Sequence, residues 1–127
     1  MIKASLHKDS NLNNQDQYGR TVLMNVIKLG KDKKIILEIL KQKPDLNVQD
    51  LEGQTSLMYA FEYNKNKEVL LEILKQKPDL NIQDQDNRTT VMYAFKHCSN
   101  KEVLLELLKQ KPYLNVQDDD GLTTLMY

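Results

Sequence analysis

The chain has one cysteine, Cys98, and two histidines, His7 and His97, so it has neither a partner for an internal disulfide nor the ligand set of a zinc site. A lone thiol makes a reducing, intracellular setting the default expectation. Glycine occurs only four times, and none of the four falls into G-x-G-x-x-G or G-x-x-x-x-G-K, which excludes the usual phosphate-cradling loops. Neither sign of charge is in excess. Eighteen basic residues balance eighteen acidic ones, and without a concentrated basic face there is no counterion-release argument for nucleic acid or for an acidic membrane surface. Long apolar runs are missing too. Residues 1–12 lack the hydrophobic stretch of a signal peptide, and nowhere do about eighteen apolar residues run together as a membrane span requires.

What the chain does contain is repetition. The stretch NVQDLEGQTSLMYAFEYNKNKEVLLEILKQKPDL from Asn47 to Leu80 is followed by the close copy NIQDQDNRTTVMYAFKHCSNKEVLLELLKQKPYL from Asn81 to Leu114. The frame extends back over Asn13 to Leu46 and forward over the incomplete NVQDDDGLTTLMY from Asn115 to Tyr127, with a period of 34. Residues 1–12 fit as the tail of a further unit, with Ile2 and Leu6 in the places of Ile36 and Leu40. The expected organisation is one domain over 1–127, with full repeats at 13–46, 47–80 and 81–114 and partial ones at 1–12 and 115–127. A fixed period of this size signals a solenoid, because a single unit cannot bury its own apolar face.

Within a unit, Leu57, Met58, Ala60 and Phe61 have the spacing of a short helix packed on one face, with Thr55 as its N-cap. That helix is expected to end near Asn64, the counterpart of Gly30, both being residues that accept a left-handed C′ position. Asn66, like Asp32 and Asn100, caps a second helix in which Val69, Leu70, Ile73 and Leu74 form the buried side. Glu68 and Glu102 fall in its first turn, and Lys75 and Lys77 at its end, as the helix dipole favours. Pro78 stops it, as Pro44 and Pro112 stop the equivalent helices.

The turn Asp50-Leu-Glu-Gly53-Gln-Thr55, the helix Leu57-Met-Tyr-Ala60, the second helix Val69 to Leu74 and the exit Asp79-Leu-Asn81 together resemble the ankyrin repeat. The tetratricopeptide repeat shares the period of 34 but not the motif, since its W-x-x-L-G-x-x-Y pattern is absent and the D-x-x-G-x-T turn has no place in a purely helical hairpin. The resemblance implies an all-α repeat solenoid of helix-turn-helix units joined by β-turn or hairpin loops. The chain also departs from the family pattern in a consistent way. One extra residue lies between Thr55 and Glu68, which places an insertion in the turn between the helices. Met24, Met58, Met92 and Met126 stand where the family's T-P-L-H histidine does, replacing its hydrogen bonds by apolar packing. Lys77-Pro78 replaces a glycine-alanine pair at the end of the second helix.

Each column of repeated residues has a structural reading. The methionines read as core. Tyr59, Tyr93 and Tyr127 read as inter-repeat stacking, and Asn47, Asn81 and Asn115 as turn-fixing side chains. Asp118-Asp119-Asp120 lacks the other ligands of a calcium loop and reads as a solvated turn. Cys98 beside His97 has no orienting third group, so no catalytic residue, cofactor or metal is expected.

The resemblance further implies binding through the turn tips and the adjoining face of the first helices, a concave groove. Here those positions change from unit to unit while the scaffold repeats. They include Tyr18 and Arg20; Leu51, Glu52 and Gln54; Gln85, Asp86 and Arg88; and, on the helices, Tyr63 and His97. Tyr18, Arg20, Tyr63 and Arg88 are the residue types that dominate binding hot spots. The expected function is a non-catalytic, intracellular protein-protein interaction module or scaffold whose partner is another protein, not nucleic acid or membrane. The alternative is self-association, as homo-dimers or end to end, through apolar residues of the terminal half-repeats, Ile2, Leu6, Leu125 and Met126.

Overall fold

In a computed structural model, residues 12–127 are described; Ile2, Leu6 and His7 lie outside them. Six α-helices among the described residues form a helical solenoid: α1 (Val22–Lys28), α2 (Lys33–Lys41), α3 (Ser56–Tyr59), α4 (Lys67–Lys75), α5 (Thr90–His97) and α6 (Lys101–Lys109). A π-helical turn, Ala60–Asn64, continues α3, and a 3₁₀ turn covers Thr124–Met126. First helices stack on first helices and second on second, α1 on α3 and α3 on α5, α2 on α4 and α4 on α6. The turns between units carry a single antiparallel bridge, Gln83 to Thr89, among the described residues.

The core is mainly aliphatic, with Tyr59, Phe61 and Tyr93 among it, and lies between the layers. Leu57, Met58, Ala60, Phe61, Val69, Leu70, Ile73 and Leu74 are all fully buried, as are their counterparts Leu23, Ile27, Ile36 and Leu40. Each large apolar side chain so buried contributes about 1.5–3 kcal/mol. The first helices start at a threonine. Thr21, Thr55 and Thr89 each accept the backbone N–H of the methionine three residues on. Those methionines do more than fill space. The thioether sulfurs of Met24, Met58 and Met92 accept the backbone N–H of their threonine at 3.4–3.5 Å, closing a capping box with sulfur in the place of a carboxylate. The expected loss of hydrogen bonding at this column is therefore only partial. Met126 lies outside this pattern and is exposed.

The extra residue between the paired helices is handled in three ways. After α1 it makes a Schellman ending, with Gly30 at φ 70°, Gly30 N–H donating to Ile27 and Lys31 N–H to Val26. After α3 it is absorbed inside the helix as the π-turn, and Lys65 at φ 58°, not Asn64, takes the left-handed position. After α5 the chain leaves through Cys98 in an extended conformation. At the far end of the second helices Lys43, Lys77 and Lys111 adopt φ of 57°, 55° and 56°, filling with lysine the conformation that glycine takes most readily. The following proline then prevents any return to helix.

Candidate functional site

The tips are built on one aspartate per unit. Asp50 Oδ1 accepts the backbone N–H groups of Glu52 and Gln54, and Asp84 does the same for Asp86 and Arg88. Gly53, at φ 80°, closes its tip so tightly on the next that a Cβ there would sit 2.8 Å from Asp84 Cα. Adjacent tips are joined by backbone bonds from Leu51 N–H to Tyr18 O, Gln85 N–H to Glu52 O and Asp119 N–H to Asp86 O. Gln49 adds a side-chain bridge, donating to both Gly53 O and Gln83 O. Asn13, Asn47 and Asn81 each accept a backbone N–H from the exit of their own unit, 32 residues on, so this column ties one exit turn to the next where the sequence reading expected each asparagine to fix its own turn.

The tyrosine column does not stack between repeats. The Tyr93 hydroxyl donates to Asp84 Oδ2 at 2.5 Å and accepts from Gln54 Nε2 of the preceding unit at 2.9 Å. Tyr59 donates in the same way to Asp50 and accepts from Arg20 Nε at 3.0 Å, and Tyr127 donates to Asp118. Ring contacts instead run along the helices, Tyr59 to Tyr63 at 5.7 Å and Tyr93 to His97 at 6.3 Å. Burial, then the neighbouring aspartate, raises the phenols of Tyr59 and Tyr93 above the ordinary tyrosine range, and Tyr127 is pushed up to about 12. The nine-residue spacing from each aspartate to its tyrosine was visible in the sequence; that the two share a proton donor and acceptor was not.

Between the second and third tips lies a cleft of about 240 Å³. Seven of the residues read from the sequence line it: Glu52, Gln54, Tyr63, Gln85, Asp86, Arg88 and His97. Tyr18, Arg20 and Leu51 form a separate cluster one unit earlier, where the Arg20 guanidinium lies 4.9 Å from the Tyr18 ring centre and Leu51 is 73% exposed. Arg20 and Gln54 are thus held by tyrosines of the next unit, while Tyr63 is 43% exposed with Lys28 Nζ 5.5 Å from its ring centre. Glu62 and Lys96 also line the cleft, and Glu62 accepts from Gln54 Nε2 at 3.2 Å. Burial pushes the His97 imidazole below the usual histidine range, with Glu62 opposing that shift. Arg88 pairs with Asp86 at 3.4 Å.

A family model for ankyrin repeats, in three copies, matches residues 1–84. The chain belongs to the ankyrin repeat family. No curated protein matches the chain. Ankyrin repeats are protein-protein interaction modules and typically non-catalytic, and the capped first helices and hydrogen-bonded tips described above are this ankyrin chain's version of that scaffold. Among the described residues no helix is long and apolar enough to cross a membrane.

Proposed function

We propose that this ankyrin array is a non-catalytic, intracellular scaffold that binds another protein through the tips and first helices, centred on the cleft between the second and third units. The observation that carries this reading is the gathering of Glu52, Gln54, Tyr63, Gln85, Asp86, Arg88 and His97 around one polar cleft on a rigid scaffold. Repeat units at 13–46, 47–80 and 81–114, flanked by partial ones, act as a single binding domain in this reading. Balanced charge supports a protein partner over nucleic acid or a membrane surface. The test is affinity capture from cells with the wild-type chain and with Tyr63→Ala and Gln85→Ala variants. Proteins retained by wild type and lost by both variants, but kept by Glu38→Ala on the exposed side of α2, fit the proposal; proteins retained equally by all four chains sink it.

A second reading is self-association. Leu125 is 82% and Met126 62% exposed, apolar surface on which another copy can stack. Light scattering over a wide concentration range checks this, and a constant monomer mass removes it.

A further inference from the structure

The second unit departs from its neighbours in charge at two positions that face the cleft. In the first unit these positions hold Arg20 and Lys28, and in the third Arg88 and Lys96; in the second they hold Gln54 and Glu62. Two cations on either side thus give way in the middle to an amide and a carboxylate. Gln54 still donates to the next tyrosine, as Arg20 does, so the scaffold bond survives while the charge is gone. Glu62 meets Gln54 Nε2 and has no cation within ion-pair distance among the described residues; nor has Glu52 on the tip above. Both carboxylates act on the same exposed ring: after burial, Glu62 and then Glu52 raise the Tyr63 phenol, with Arg20 opposing them. Asp86, by contrast, is matched by Arg88, and Asp84 is occupied by Tyr93 and the tip amides.

Resting on the reading that the cleft is a partner site, we infer that it takes a single basic side chain, arginine or lysine, from an extended segment of the partner, seated between Glu52 and Glu62 against Tyr63. Charge complementarity supplies the attraction, and the aromatic face adds to it, as Lys28 near the same ring illustrates. The flanking cations supply the discrimination. Arg88 and Lys96 line the same cleft and Lys28 lies 5.5 Å from the Tyr63 ring centre, so the cleft holds one further cation at most and a second basic residue of the segment meets like charge on either side. The site favours an isolated basic residue among neutral or acidic ones and rejects a polybasic run.

The test is selection of a random nine-residue peptide library displayed on phage against the full chain, followed by fluorescence anisotropy titration of the enriched peptides. The expected consensus has one arginine or lysine. Its affinity falls at least tenfold with Glu62→Gln, with Glu52→Gln, and with norleucine in place of the basic residue, and is unchanged with Glu38→Gln. Enriched peptides that are polybasic, or that bind at the cleft (lost with Tyr63→Ala) while lacking a basic residue or ignoring Glu62→Gln, overturn this inference and leave the partner-binding reading standing. Failure to enrich any peptide, or binding indifferent to Tyr63→Ala, overturns both.

Discussion

Removing one oxygen atom, by Tyr93→Phe, tests whether the aspartate–tyrosine pairs hold the array together. The ring is buried in both residues, so apolar burial and packing are unchanged and only hydrogen bonding differs. The hydroxyl donates at 2.5 Å to a carboxylate that is itself buried, and accepts at 2.9 Å from Gln54. A hydrogen bond to a charged group is worth about 1.5–3 kcal/mol, and a neutral one about 1 kcal/mol. Asp84 keeps two backbone N–H donors on Oδ1, which moderates the loss, while Gln54 swings toward Glu62 or solvent. The expected cost is about 2–3 kcal/mol, which at a urea slope of about 2 kcal/mol per molar lowers the unfolding midpoint by about 1–1.5 M. Circular dichroism is the readout, because the chain has no tryptophan. Tyr113→Phe, at a 66% exposed tyrosine, is the control and should change stability by less than about 0.5 kcal/mol. In an Asp84→Asn background the Tyr93→Phe cost should shrink, since the two groups share one interaction. A Tyr93→Phe midpoint indistinguishable from that of Tyr113→Phe refutes the reasoning.

Gly53→Ala should cost about 2–3 kcal/mol, because it combines a φ of 80° with a Cβ 2.8 Å from the backbone of the next tip; a urea midpoint within error of wild type would contradict that close approach. Lys77→Gly should raise stability by about 1 kcal/mol by relieving a left-handed lysine at φ 55°, and a loss of stability in the same unfolding assay would show that the lysine stem contributes more than its backbone costs. Stability should be undiminished by these phenols below pH 10 and fall above it: unfolded tyrosines lose their protons near 10, whereas Tyr59, Tyr93 and Tyr127 keep theirs in the folded chain, Tyr127 to about 12. Each contributes a slope of up to about 1.4 kcal/mol per pH unit, read from urea midpoints at pH 9, 10 and 11, and a flat profile over that range counts against raised phenols.

The repeat frame made most of the fold legible in advance. A period of 34 with apolar residues at helical spacing fixes which side of each helix is buried, and the local capping signals at Thr55, Asn66 and Asp32 place the helix starts because a cap bonds only to its own first turn. Helix ends were less legible. Whether the extra residue became a Schellman ending, a π-turn or an extended exit depended on Gly30, Asn64-Lys65 and Cys98 within otherwise similar neighbourhoods.

For the cleft the division is sharper. Sequence alone determined which positions repeat and which vary, since that is a matter of register along the chain. It also carried the charge pattern, Arg20 and Lys28, Gln54 and Glu62, Arg88 and Lys96. Only the tertiary structure decided that Arg20 and Gln54 are bonded to tyrosines of the next unit, that the tyrosines satisfy buried aspartates and do not stack, and that the variable residues of the second and third tips share one cleft while Tyr18, Arg20 and Leu51 stand apart. The physical reason is distance. A hydrogen bond spanning 39 residues depends on how units stack, and that geometry is set by the packed core as a whole, not by the residues on either side of the bond.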